Sequence, residues 1–149
     1  MKKIFFLIAI MIIAASYSQS AMAQTEAQKI DLCTKAAGAD ATLEKSYTIK
    51  LDAARDGERA PVFRNATAMR KGNVYRFTIC TDEESSGEAI LQLLDDGKVV
   101  GTTYDQATGR TFPGFNFECT KSAVYVIFIS FKDGREGSAV AILSHVKAL

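Results

Sequence analysis

The chain has 149 residues, with 18 Lys and Arg against 17 Asp and Glu, a formal net charge of +1 and a single histidine. A balance this close to neutral supplies no basic stripe of the kind that nucleic acid or an anionic membrane surface demands, which argues against both as obligatory partners. The length suits one domain with a single core, and no repeat, low-complexity run or long linker divides it.

Lys2 and Lys3 open the chain, Ile4 to Ala15 is almost wholly apolar, and Ala21-Met22-Ala23 places small residues at both positions that a signal peptidase reads. The apolar run ends at Ser16-Tyr17-Ser18-Gln19-Ser20, short of the roughly 20 residues that a spanning helix needs. Residues 1–23 are therefore expected to be a cleaved signal peptide, of bacterial character because lysines lead it. Gln24 follows the cleavage point and Ile30-Asp31-Leu32 precede Cys33, so neither place suits a lipid anchor. Cleavage leaves 126 residues with 16 basic and 17 acidic side chains, not membrane-spanning and exported to the periplasm or secreted.

Thr25 to Ala37 reads as a short helix. Thr25 caps it, Glu26 stands in the first turn, Ala27, Ile30 and Cys33 or Thr34 share a face, and Gly38 ends it. Residues 24–45 are expected to be this helix and a linker, and residues 46–149 a β-sandwich domain, because the period changes from about Ser46 onward to short β-branched and aromatic runs. Strands are expected at Tyr47–Ala53 and Val62–Met69. Tyr75, Phe77 and Ile79 alternate with Arg76 and Thr78 in the next, after a turn at Lys71-Gly72-Asn73. Ala89–Asp95 and Lys98–Tyr104 flank Asp96-Gly97, the strongest short hairpin signal, because both turn positions favour positive φ. Asp133-Gly134 repeats the device between Ala123–Phe131 and Ser138–Val146.

Thr111 to Phe131 is the most apolar stretch beyond the leader. Phe115 and Phe117 alternate with Asn116 and Glu118, Thr120-Lys121-Ser122 turns the chain, and Val124 to Ile129 is apolar on both parities. That last strand is expected to lie centrally, covered on one face by the opposite sheet and on the other by the amino-terminal helix or a long loop. The count comes to about eight strands, which places the chain as mainly β: an antiparallel β-sandwich or jelly roll with one short amino-terminal helix. An outer-membrane β-barrel is the rival architecture, and the two-sided apolar strand weighs against it.

Val74-Tyr75-Arg76-Phe77-Thr78-Ile79, Ala89 to Gly97, Phe117 and Ala123-Val124-Tyr125-Val126-Ile127 together resemble the bacterial pre-peptidase C-terminal domains, small secreted β-sandwiches found beside exported peptidases. The resemblance covers about Asn73 to Val146. It departs from the family where Lys121-Ser122-Ala123 replaces the glycine before the tyrosine-bearing strand, and no peptidase accompanies the domain. Since that family is not itself catalytic, the resemblance implies an accessory or binding role.

Three cysteines cannot all pair within one chain, and an oxidising compartment pairs those within reach. Cys80 and Cys119 each end a strand and are the first candidates for a bridge, with Cys33 as rival partner for either. A loop closed between Cys80 and Cys119 would stabilise by roughly 3–4 kcal/mol. Parity opposes this pair: Cys119 shares the face of Phe115 and Phe117, whereas Cys80 shares that of Arg76 and Thr78. No cofactor signature is present, and no cysteine pair has metal-ligand spacing. His145 shares the parity of Ala139, Ala141 and Leu143 and reads as a strand residue, although a small secreted hydrolase using it remains the rival function. The acidic run Asp82-Glu83-Glu84 with Glu88 lacks the order of a calcium loop and reads as a solvated connection. Asn65-Ala66-Thr67 fits an N-glycosylation pattern that matters only in a eukaryote.

Binding on such a scaffold belongs to loops. Residues 55–64 offer Arg59, Phe63 and Arg64, and residues 105–114 offer Arg110 and Phe112, the arginine and aromatic pairing enriched at interface anchors; the plainer expectation for Phe63 and Phe112 is that they begin strands and pack inward. The expected function is a non-catalytic binding or accessory module of a bacterial envelope, engaging protein or carbohydrate through these loops.

Overall fold

The computed structural model describes residues 24–149, and the expected leader, residues 1–23, lies outside them. The helix α1 runs from Glu26 to Ala36. Its start follows local chemistry: the Thr25 hydroxyl accepts from the Gln28 amide at 3.3 Å while the Gln28 side chain accepts from the Thr25 amide at 2.9 Å, so two otherwise orphaned donors are satisfied reciprocally. Its end is set by Gly38, whose φ of +96° a β-carbon would resist.

Ten strands follow: β1 (Thr42–Leu51), β2 (Phe63–Met69), β3 (Asn73–Thr81), β4 (Ala89–Asp95), β5 (Lys98–Thr102), β6 (Tyr104–Asp105), β7 (Arg110–Thr111), β8 (Gly114–Cys119), β9 (Ala123–Phe131) and β10 (Gly137–Ala148). Eight of them make two antiparallel four-stranded sheets, one ordered β1-β10-β3-β8 and the other β2-β9-β4-β5, and β6 with β7 forms a separate small hairpin. Apart from the β4–β5 hairpin, consecutive strands of the two sheets alternate between them in the manner of a jelly roll. Each sheet keeps two free edges, so the strands close no barrel, which removes the outer-membrane reading. No helix among the described residues is long and apolar enough to cross a membrane.

The inner faces of the sheets interdigitate around Phe77, Ile49, Leu91, Leu93, Ile127, Ile129, Ala141 and Leu143, all essentially inaccessible to water. Period-2 alternation selects these positions: along β9 the odd-numbered residues Tyr125, Ile127, Ile129 and Phe131 are buried and the even-numbered ones face outward. At Gly137, where the chain enters β10, a β-carbon would run into the Phe131 ring, and glycine is what lets the two strands approach there.

Three expectations are corrected here. The strand covered on both faces is β10, not β9: Ala139, Ala141 and Leu143 point into the inter-sheet core, while Val140 and Ile142 lie under α1 with Cys33 and Ala37. Helix α1 packs on the β1–β10–β3 side of the sandwich, so the outer face of β9 is bare and Val124 is 61% exposed. Asp133-Gly134 is not a hairpin turn. Both residues do have positive φ, 59° and 65°, but they belong to a 3-10 turn that carries the chain from one sheet to the other. Asp96-Gly97, by contrast, makes the expected tight hairpin, with φ of 48° and 78° and Asp95 opposite Lys98. Finally, β1 begins at Thr42 rather than near Tyr47, so the linker after α1 spans only residues 37–41.

Core and outer-face positions of the same strand should differ sharply in stability. Ile127→Ala is expected to cost about 2–5 kcal/mol and Val124→Ala less than about 0.5 kcal/mol in urea unfolding, since only the first leaves a cavity.

Candidate functional site

Connections alternate in length along the chain. Residues 52–62, 82–88, 103–113 and 132–136 are the longer ones; residues 70–72, 96–97 and 120–122 are tight turns. Because paired strands run antiparallel, this alternation gathers all the longer connections at one end of the sandwich and the tight turns at the other. The first end is the candidate functional site.

Backbone and side-chain bonds tie these loops into one surface around the 3-10 turn Lys132–Gly134. On one flank the Ala54 amide donates to the Gly134 carbonyl at 2.7 Å. On the other, the Lys132 ammonium donates to the Gly109 carbonyl at 3.0 Å and stands 5.9 Å above the Tyr104 ring, while the Lys132 amide donates to Glu88 at 2.9 Å. The Thr111 hydroxyl bonds to the Glu88 carboxylate, and Ser85 bonds the Gly87 carbonyl and the Ser138 amide. Within the β6–β7 hairpin, Asp105 accepts from the Thr108 hydroxyl and the Ala107 amide, and these bonds hold its carboxyl below the ordinary range. The loops are thus built rather than loose.

Asp and Glu outnumber Lys and Arg two to one over these four connections. A groove of about 290 Å3 runs between Lys50 to Asp52, Glu84 to Ser86 and Glu136 to Ser138. Among the described residues no group of three or more His, Cys, Asp or Glu is arranged to hold a metal ion.

The expected binding residues divide. Arg59, Arg110 and Phe112 are all exposed at this end, with Phe112 46% accessible. Phe63 opens β2 and turns inward, its ring edge-on to Tyr47 at 5.7 Å between centroids, so it packs rather than presents. Arg64 points the other way, outward, and lies 5.1 Å over the Phe128 ring on the bare face of the β2–β9–β4–β5 sheet. Sequence reasoning missed the convergence of the other loops, although the long-short alternation of connection lengths was the signal.

His145 belongs to the opposite end. Its Nε2 lies 3.0 Å from the Asn73 side-chain oxygen and its ring is edge-on to Tyr75, so an amide and an aromatic ring are its neighbours.

The disulfide joins Cys33 to Cys80, with Cα atoms 5.8 Å apart, and Cys119 is a buried free thiol. The preferred Cys80–Cys119 pairing fails for a topological reason. Antiparallel pairing sets Cys119 opposite Asn73, at the start of β3, whereas Cys80 lies seven residues on, about 24 Å along the strand. The two also face opposite sides: Cys119 joins the inter-sheet core and Cys80 the cluster beneath α1. Cys119 closes the β8–β9 turn instead, its Sγ 3.2 Å from the Lys121 carbonyl, which also accepts the Tyr125 hydroxyl at 2.8 Å.

Two outcomes follow from this chemistry. Alkylation of the native, unreduced protein should label no cysteine quickly, and unfolding without reductant should release one reactive thiol, mapped by peptide mass to Cys119. Burial first, then the adjoining Cys119 thiol, pushes the Tyr125 phenol from 10.0 up to about 12. The neutral phenol is the form that fits, so the stability tied to it is whole below pH 10 and is lost as the pH rises through about 12. Tyr125→Phe is expected to lower stability at neutral pH by about 1 kcal/mol and to remove this part of the alkaline decline in pH-dependent urea unfolding.

No protein-family model and no curated protein matches this sequence. What the chain does has to follow from its fold and from the loop end.

Proposed function

We propose that the protein is an exported, non-catalytic binding or accessory module of a bacterial envelope, and that it engages protein or carbohydrate through the loop end of its sandwich. The observation that carries this reading is the gathering of four cross-linked connections on one end of a rigid jelly roll, with Arg59, Arg110 and Phe112 exposed there. Rigid strands that hold loops in fixed relation reduce the ordering cost of binding, which is how sandwiches serve as recognition scaffolds. The amino-terminal leader pattern, the Cys33–Cys80 bridge and the resemblance to pre-peptidase C-terminal domains support the export part of the reading.

The test pairs two surfaces of one molecule. Binding of the intact protein to a glycan array and to solubilised envelope protein is compared for wild type, an Arg59→Ala/Arg110→Ala/Phe112→Ala variant and a Lys71→Ala control at the tight-turn end. The expected result is a loss of about tenfold or more in affinity in the triple variant alone, the scale of a truncated anchor pair. Equal binding by all three removes the loop end from the reading. Turnover of a ligand that disappears in folded His145→Ala protein replaces the whole reading with the hydrolase.

A further inference from the structure

The Cys33–Cys80 bridge joins two bodies of unequal strength. On one side stands the two-sheet sandwich, whose core residues lie between the sheets. On the other stands α1, whose 11 residues fall below the roughly 12–15 at which an isolated helix holds in water. Only Cys33 of α1 is buried; half-buried Ile30, together with Ala37 just past its end, completes the apolar contact with Val140 and Ile142 on β10. That small cluster is separate from the inter-sheet core. The remaining ties are polar: Lys29 to Asp82 at 2.8 Å, Glu26 to Thr48 at 2.8 Å, and Arg76 to the Ala37 carbonyl at 2.7 Å. Single pairs at or near the surface hold little. The bridge is therefore the one covalent cross-link between α1 and the sandwich, and none of the inter-sheet core residues belongs to α1.

We infer that the Cys33–Cys80 bridge is a redox latch: a dithiol reductant releases α1 and bares Val140 and Ile142 while the sandwich stays folded. Access exists. A cleft of about 180 Å3 bounded by Lys29, Leu32, Asp82 and Val140 opens beside the two cysteines. Cys80 is half-buried where Cys33 is 1% exposed, which makes Cys80 the more accessible of the two residues. A thiolate of the reductant attacks Cys80 Sγ, the Sγ–Sγ bond breaks, and Cys33 leaves as a thiolate that takes up a proton. The second thiol of the reductant then displaces Cys80 from the mixed disulfide. Two electrons pass, the reductant ends as its own disulfide, and Cys33 and Cys80 end as thiols. Cys119 takes no part, because it lies at the other end of β3 facing the core.

Hydrogen exchange with peptide-level mass analysis decides the matter, on the folded oxidised protein before and after dithiothreitol at neutral pH. The expected result is an increase of about tenfold or more in exchange over residues 27–36, reversed on reoxidation, with less than about twofold change in β3 and β9. A folded Cys33→Ser/Cys80→Ser variant should show the same pattern permanently. Loss of protection in β9 together with α1, or a double variant that does not fold, overturns the latch and makes the bridge a staple of the whole domain. Unchanged protection in α1 after reduction overturns it as well, because packing alone would then hold the helix.

Discussion

The double-sided burial of β10 is the constraint on which this structure depends. A strand between two neighbours in its own sheet must still satisfy two faces, and β10 does so with alternating residues of different size: Ala139, Ala141 and Leu143 into the inter-sheet core, Val140 and Ile142 beneath the helix. Ala139 and Ala141 on the inner side let the opposite sheet approach near β10, where Phe131 already fills the space at Gly137, and Leu143 fills the core farther along. Larger branched residues on the outer side give α1 something to rest on. Without the helix, the outer side would be an apolar strip in water, and without the strip a helix this short would have no reason to form.

The two faces of the sandwich are consequently unlike. One is closed by α1, a disulfide and the Lys29–Asp82 pair, whose hydrogen bond holds the Lys29 ammonium above its ordinary value. The other is left to its own side chains, with Arg64 laid over Phe128 as a cationic cover. Long polar side chains that fold back over an aromatic ring shield it from water without burying it. Chain connections, meanwhile, sort the molecule along the perpendicular direction, into an end of tight turns that holds Cys119 and Tyr125 and an end of longer loops. Helix packing thus covers one face, and the longer loops are gathered at one end.

Much of this was legible in the sequence because it is written in local periods. The Thr25 cap, the Asp96-Gly97 hairpin, the bounds of β4 and β9 and the mainly β class all follow from spacing and turn chemistry within a few residues. What was not legible depends on which distant strand lies alongside. Apolar residues on both parities of Val124 to Ile129 suggested cover on both faces, but cover is a property of neighbours, and the helix went to the other sheet. Cysteine pairing failed in the same way: strand ends were identified correctly, yet whether two ends adjoin is set by antiparallel register. Parity had carried the answer, since an outward-facing Cys80 can reach only something outside the sandwich, and α1 is what lies there. Composition singled out Arg59, Arg110 and Phe112, which are exposed, together with Phe63, which packs inward, because composition does not say which side of the pleat a residue takes.

The interleaved order of the sheets also dictates when the chain can assemble. Among the described residues β1 has no strand partner except β10, with Thr42 opposite His145, and β2 has none except β9. A chain delivered from its amino terminus therefore holds its early strands unpaired until the final two arrive, and loop closure over such separations comes slowly and late. Helix α1 has its resting place on β10, so the native seat that sets Cys33 beside Cys80 exists only once that strand lies between β1 and β3.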